Sequence, residues 1–134
     1  MTTLVILFFL YLFAHCIADT SFQTDAMATG KNRNRPIDMS RVPKGQKPLN
    51  LWYMWLTHHS AVHGGIAFLI TYIVTHNFVF SGILAIIEFV SHWIIDFGKC
   101  ENKYSPIGDQ LLHLGMKVGY VFAVTKYSYL VITK

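Results

Sequence analysis

In the stretch E-F-V-S-H-W-I-I-D, Glu88, His92 and Asp96 stand four residues apart. On a helix that spacing stacks all three on one face. The same spacing recurs in His15 with Asp19, His59 with His63, and Asp109 with His113. Imidazole and carboxylate are ligands suited to zinc, manganese or iron. No cysteine joins the pattern, since Cys16 and Cys100 stand alone without a CxxC pair, so neither a zinc–cysteine site nor a disulfide framework is expected.

The elements that would position these residues read as membrane helices. Of the 134 residues, 53% are hydrophobic and only 13% charged, against about a quarter charged in an ordinary soluble domain. One all-α domain over residues 1–134 is expected, a four-span transmembrane bundle with helices at about 3–20, 51–74, 78–97 and 107–132. The first apolar run lacks a basic leading region, and His15 interrupts the zone where a signal peptide would be cut, so it is taken as a retained helix. Trp52, Tyr53 and Trp55 form an aromatic belt where the second span begins. Lys117 and Lys126 make the fourth span the least regular; Lys117 could snorkel or face the bundle interior. The S-F-Q-T-D-A-M-A-T-G-K run after the first helix suggests a short amphipathic turn, with Phe22 and Met27 toward lipid.

The net charge of +4 is concentrated in a proline-bearing loop at 31–48, where Lys31, Arg33, Arg35, Arg41, Lys44 and Lys47 face a single acid, Asp38. Beside hydrophobic spans this reads as a cytoplasmic loop obeying the positive-inside rule, not as a nucleic-acid surface. Both termini then lie outside, in a multi-pass protein of the cytoplasmic (inner) membrane. A helix rises about 1.5 Å per residue, which brings the four ligand-type pairs to one depth, in the cytoplasmic half. Four helices with inward groups at one height make a site. His15, Asp19, His59, His63, His92, Asp96, Asp109 and His113 are therefore expected to hold one or two divalent ions, zinc first, with manganese or iron as alternatives. Glu88 is a candidate general base or ring-orienting partner, and Asp96 and Lys99 join it as candidate catalytic groups. Gln23, Asp25, Lys31 and Gln110 are candidates for holding a polar head group. His58 points away from His59's face, and His76 lies in the outer turn.

Together H-C-I-A-D-T-S-F-Q-T-D-A-M-A-T-G-K, H-H-S-A-V-H, H-W-I-I-D-F-G-K and D-Q-L-L-H resemble a family of small bacterial and phage membrane proteins that carries a domain of unknown function. The matching positions are His15, Asp19, Gln23, Thr24, Asp25, Met27, Ala28 and Lys31, then His59 and His63, then His92, Asp96 and Lys99, then Asp109, Gln110 and His113. The insert from Asn32 to Pro48 is longer than that pattern leads one to expect. A looser similarity to inner-membrane proteins labelled metal-dependent hydrolases implies hydrolysis of a lipid, lipid-linked or other anionic substrate at the inner interface. The competing class is a non-enzymatic membrane protein, either a metal or proton transporter or a phage effector that binds a host membrane protein, and a homo-oligomer is compatible with either class. Histidine-rich oxidative centres fit less well, because they carry more histidines and fewer acids than this pattern.

Overall fold

In the computed structural model, which describes residues 2–132, five α-helices and one 3₁₀ turn follow one another: α1 (Thr2–Thr20), α2 (Asp25–Gly30), the turn Met39–Arg41, α3 (Trp52–Thr75), α4 (Phe78–Cys100) and α5 (Pro106–Ile132). No strand occurs among the described residues. The four long helices lie within three residues of the expected boundaries, and the amphipathic turn expected after α1 is the six-residue α2.

Local chemistry accounts for the breaks. Thr24 caps α2 by accepting a hydrogen bond from the Met27 amide at 3.2 Å. His76 closes α3 in the left-handed region (φ 50°), and Asn77 opens α4 by accepting from the Phe80 amide at 2.8 Å. A two-residue turn thus joins the two helices into a tight antiparallel hairpin. Pro106 opens α5, where its missing N–H costs nothing, and the Ser105 hydroxyl accepts from the Gly108 amide.

α3 and α4 form the most extensive contact, and α1 packs against α3 and α5, so the helices run α1, α3, α4, α5 around the bundle. Gly64 allows α3 and α4 to close up: a Cβ there would lie 3.0 Å from the Ala85 carbonyl oxygen and 3.2 Å from the Phe89 Cβ. The interior has two storeys. At one end Leu7, Tyr11, Ala67, Ile70, Leu84, Tyr120, Val121 and Val124 form an apolar core. At the other, where α1 and α4 end and α3 and α5 begin, the buried side chains are polar and ionisable. A hydrogen bond of 2.7 Å between the Tyr11 hydroxyl and Thr71 Oγ1 lies in the apolar storey, one turn from His15.

The four-span expectation is met in part. Among the described residues, only Phe78–Cys100 is long and apolar enough to cross a membrane, and Leu4–Thr20 is a shorter apolar stretch. α3 and α5 fail that test because of residues of the polar storey, His59 and His63 in one and Asp109, His113 and Lys117 in the other, together with the exposed His58 and Lys126. The outer faces are nonetheless apolar on every long helix: Ile6, Phe9 and Phe13 on α1, Leu69 and Ile73 on α3, Ile83, Ile86 and Ile94 on α4, and Leu111, Phe122 and Leu130 on α5 are all exposed. The bundle thus carries apolar outer faces and ionisable groups within at one end.

Candidate metal centre

Each long helix delivers ionisable residues to the polar storey from its inward side. α1 carries Leu7, Tyr11 and His15 at four-residue steps, and α4 carries Leu84, Glu88, His92 and Asp96. Changing residue type along a single stripe therefore makes both storeys.

All eight expected metal ligands converge, and Glu88 with them. Asp19 Oδ1 lies 3.1 Å from His63 Nε2 and 3.3 Å from His59 Nε2. His15 Nε2 is 3.5 Å from the other Asp19 oxygen. Across the bundle, Asp96 is 3.4 Å from His59 Nε2 through one oxygen and 3.4 Å from His113 Nε2 through the other. His113 Nε2 is also 3.6 Å from Asp109 Oδ1. The imidazoles pack ring on ring: His63 stacks on His92 with centroids 3.7 Å apart, and His92 stacks on His113 at 4.2 Å.

Three of the four carboxylates have a lysine. Lys31 Nζ donates to Asp96 Oδ2 at 2.5 Å, Lys99 Nζ donates to Asp109 Oδ2 at 2.8 Å, and Lys117 Nζ pairs with Glu88. Asp19 has none; its neighbours are His15, His59, His63 and the amide of Gln110 at 3.5 Å. With the imidazoles neutral, four carboxylates against three lysines leave one negative charge unmatched, and it sits on the carboxylate that three histidines surround.

This donor set fits a divalent ion. Neither ring nitrogen of His15, His59 or His92 makes a hydrogen bond, although all three rings are buried. Such groups are costly unless something else engages them. One donor atom each from Asp19, His59, His63 and His92 can be chosen within 4.8 Å of one another, and likewise from His92, Asp96 and His113. For metal–ligand bonds of about 2.0–2.1 Å, a tetrahedron has edges of about 3.4 Å, and the distances from Asp19 Oδ1 to His59 and His63 are close to that. His92 belongs to both sets, but its Nδ1 is 3.4 Å from Glu88 Oε1, and Asp96 is already held by Lys31. One ion in the Asp19, His59, His63, His92 set is the arrangement these contacts favour.

The remaining expected residues fall less uniformly. Gln110 Nε2 also donates to Asp109 Oδ2 at 3.2 Å. Gln23 is half-buried and donates to the Asp19 backbone carbonyl at 3.1 Å, which fastens the end of α1. Lys31 is buried against Asp96 and serves the cluster's own charge balance instead of facing outward for a head group. Asp25 is exposed in the first turn of α2, outside the cluster. His58 and His76 are exposed and take no part. Lys117 was not expected among the site residues. Its signal was its place four residues after His113, in step with Asp109.

The basic loop is fastened at the same end. Arg33 makes two hydrogen bonds to Glu101, Nε to Oε1 at 2.8 Å and Nη2 to Oε2 at 2.6 Å, and lies over the Phe97 ring. These bonds hold the Glu101 carboxyl below its usual range. Asn34 donates to the Cys100 carbonyl at 3.0 Å, and Trp55 lies against Gly30, where a Cβ would sit 2.6 Å from Cδ1 of the ring.

Residues 7–133 match the family described as "Protein of unknown function (DUF3307)". The chain belongs to that family. The match spans every residue of the cluster, and the description names no activity. No curated protein and no solved structure matches the chain.

Proposed function

We propose that this protein is a membrane-embedded, metal-dependent hydrolase acting on a lipid or lipid-linked anionic substrate. The observation that carries this reading is the unmatched carboxylate of Asp19 among His15, His59 and His63, in a cluster whose other carboxylates each hold a lysine. A divalent ion held by Asp19, His59, His63 and His92 supplies Lewis acidity toward a water and toward a carbonyl or phosphoryl oxygen.

The chain's own groups have separable tasks. Glu88, between His92 Nδ1 and Lys117, fixes the His92 ring so that Nε2 faces the cluster. Asp96 holds the His113 ring through its Nε2, and Lys31 holds Asp96 in place. Lys99 is partly exposed beside Asp109, and Gln110 is exposed, so both are within reach of an arriving anionic group. The apolar outer faces support a lipid surround for the bundle. The attachment of Lys31 and Arg33 at the polar end puts the basic loop beside the cluster, which by the positive-inside rule is the cytoplasmic side.

Metal analysis of the purified full chain tests the reading. One divalent ion per chain is expected, lost in Asp19→Ala and His59→Ala and kept in His76→Ala. A chain without metal, or equal metal in all four proteins, refutes it. The lysine–carboxylate pairs favour a second, non-enzymatic reading: a polar network that moves protons or ions, or merely holds the bundle together. That reading predicts stability and ion flux that do not respond to chelators.

A further inference from the structure

A cleft of about 450 Å³ opens on the side of the bundle between α1 and α5. Leu12, Ile107, Leu111 and Leu114 give it apolar walls, and His15 and Lys117 also line it. The volume is within the usual range for a ligand site, about 300–1,000 Å³. Its outer rim is continuous with the apolar exterior, where Phe13, Ile107 and Leu111 are exposed.

His15 connects this cleft to the cluster. It is 6% exposed, and neither ring nitrogen makes a hydrogen bond. Its ring centroid is 5.1 Å from that of His63 and 5.1 Å from that of His113. Lys117, equally buried, pairs with Glu88 behind it. A purely structural gap between two helices would be closed by side chains or end on apolar groups. This one has walls for a hydrocarbon and, at its inner side, a buried imidazole that makes no hydrogen bond and has only the Asp19 carboxylate at 3.5 Å.

We propose that the α1–α5 cleft is a lateral binding site for one acyl chain of a phospholipid, lying along Leu12, Leu111 and Leu114 with its ester end at His15. An imidazole nitrogen of His15 donates to the ester carbonyl oxygen, giving a hydrogen bond to a ring that makes none within the protein. The cleft thereby presents the lipid's polar linkage to the cluster from the side, without passage through the bundle's polar end. As a statement of substrate class this rests on the hydrolase reading, whereas chain binding itself does not require a metal.

The experiment uses the full chain in phosphatidylglycerol vesicles containing a phosphatidylglycerol with a diazirine on one acyl chain. After photolysis, the labelled peptides are mapped by mass spectrometry. Label is expected on residues 107–114 and 12–16 above the level on the outward face of α4 around Ile86. Leu114→Trp, which fills the cleft, is expected to abolish the excess. Leu111→Trp, at a more exposed position less able to disturb the fold, is expected to reduce it. Leu114→Met is expected to keep it. Equal labelling of cleft and outer faces, or an excess unchanged in both tryptophan variants, overturns the proposal. Cleft labelling in a protein that binds no metal supports the lipid site and counts against the hydrolase reading alone.

Discussion

Neutralising one carboxylate at a time separates the role of Asp19 from those of the other three. In Glu88→Gln the shape is kept but Lys117, 4% exposed, loses its counter-charge. Removing one partner of a buried ion pair costs about 3–5 kcal/mol. At about 3 °C per kcal/mol for a chain of this size, the melting temperature falls by about 10 °C or more. Asp96→Asn strands Lys31 in the same way. Asp19→Asn strands no lysine, so without metal it is expected to stay within about 1 kcal/mol of the parent. With metal, Asp19→Asn separates from the parent. At about 100 times Kd, the parent gains about 2.7 kcal/mol from the ion. Losing even a ligand's supporting partner weakens metal binding about 10–100-fold. For Asp19→Asn the gain at the same metal concentration is then at most about 0.4–1.4 kcal/mol. The assay is thermal unfolding of the four proteins in chelator and in zinc or manganese, with bound metal counted in parallel. If Asp19→Asn responds to metal as the parent does, or loses as much stability in chelator as Glu88→Gln, the charge argument is refuted.

Other outcomes follow from single contacts. Lys117→Met is expected to cost about 3–5 kcal/mol and the double variant with Glu88→Leu much less, because the double change removes both charges; a double-mutant cycle from unfolding curves measures the difference. Gly64→Ala pushes a methyl group against the Ala85 carbonyl and Phe89, and about 1–3 kcal/mol of destabilisation is expected in the same unfolding assay. Tyr11→Phe removes the hydrogen bond to Thr71 and is expected to cost about 0.5–1.5 kcal/mol with metal stoichiometry unchanged. Because Arg33 lowers the pKa of Glu101 in the fold, their pairing contributes fully above the carboxyl's ordinary 4.5 and is lost as pH falls below it. Hydrogen exchange at residues 33–35, corrected for the intrinsic rate, is therefore expected to quicken below that pH, and Glu101→Gln to show the quickened rate at neutral pH.

The cluster was legible because four-residue spacing is a direct consequence of helix geometry. Each of the pairs His15/Asp19, His59/His63, His92/Asp96 and Asp109/His113 needed only its own helix to be read, and alternating helix direction supplied the common level. The partners that come from outside the pairs were harder. Lys31 sits on α2's C-terminal cap, and its contact with Asp96 spans 65 residues of the chain. Sequence offers no way to see that such a lysine turns inward. Lys117 was in step with Asp109 and His113, but a lysine in an apolar helix reads equally well as snorkelling. Asp25 shows the converse: it stands in a recognisable motif, yet α2 turns its side chain to the surface. Four membrane spans are expected from the length of the apolar runs, the aromatic belt and the basic loop. The very residues that form the polar storey leave α4 as the only described helix apolar enough to pass on composition and length.

The ring of helices joins neighbours that are far apart in the chain: α1 closes the circle against α5. His15 and Asp19 precede the long loop, and His113 and Lys117 follow it. Neither half of the polypeptide carries a full set of donors, so severing the long loop and separating the pieces would leave each with stranded imidazoles or acids and no means of balancing them. The proposed ion site therefore needs α1 brought back against α3 and α4, and the lysine-paired network around it is complete only when α5 closes against α1.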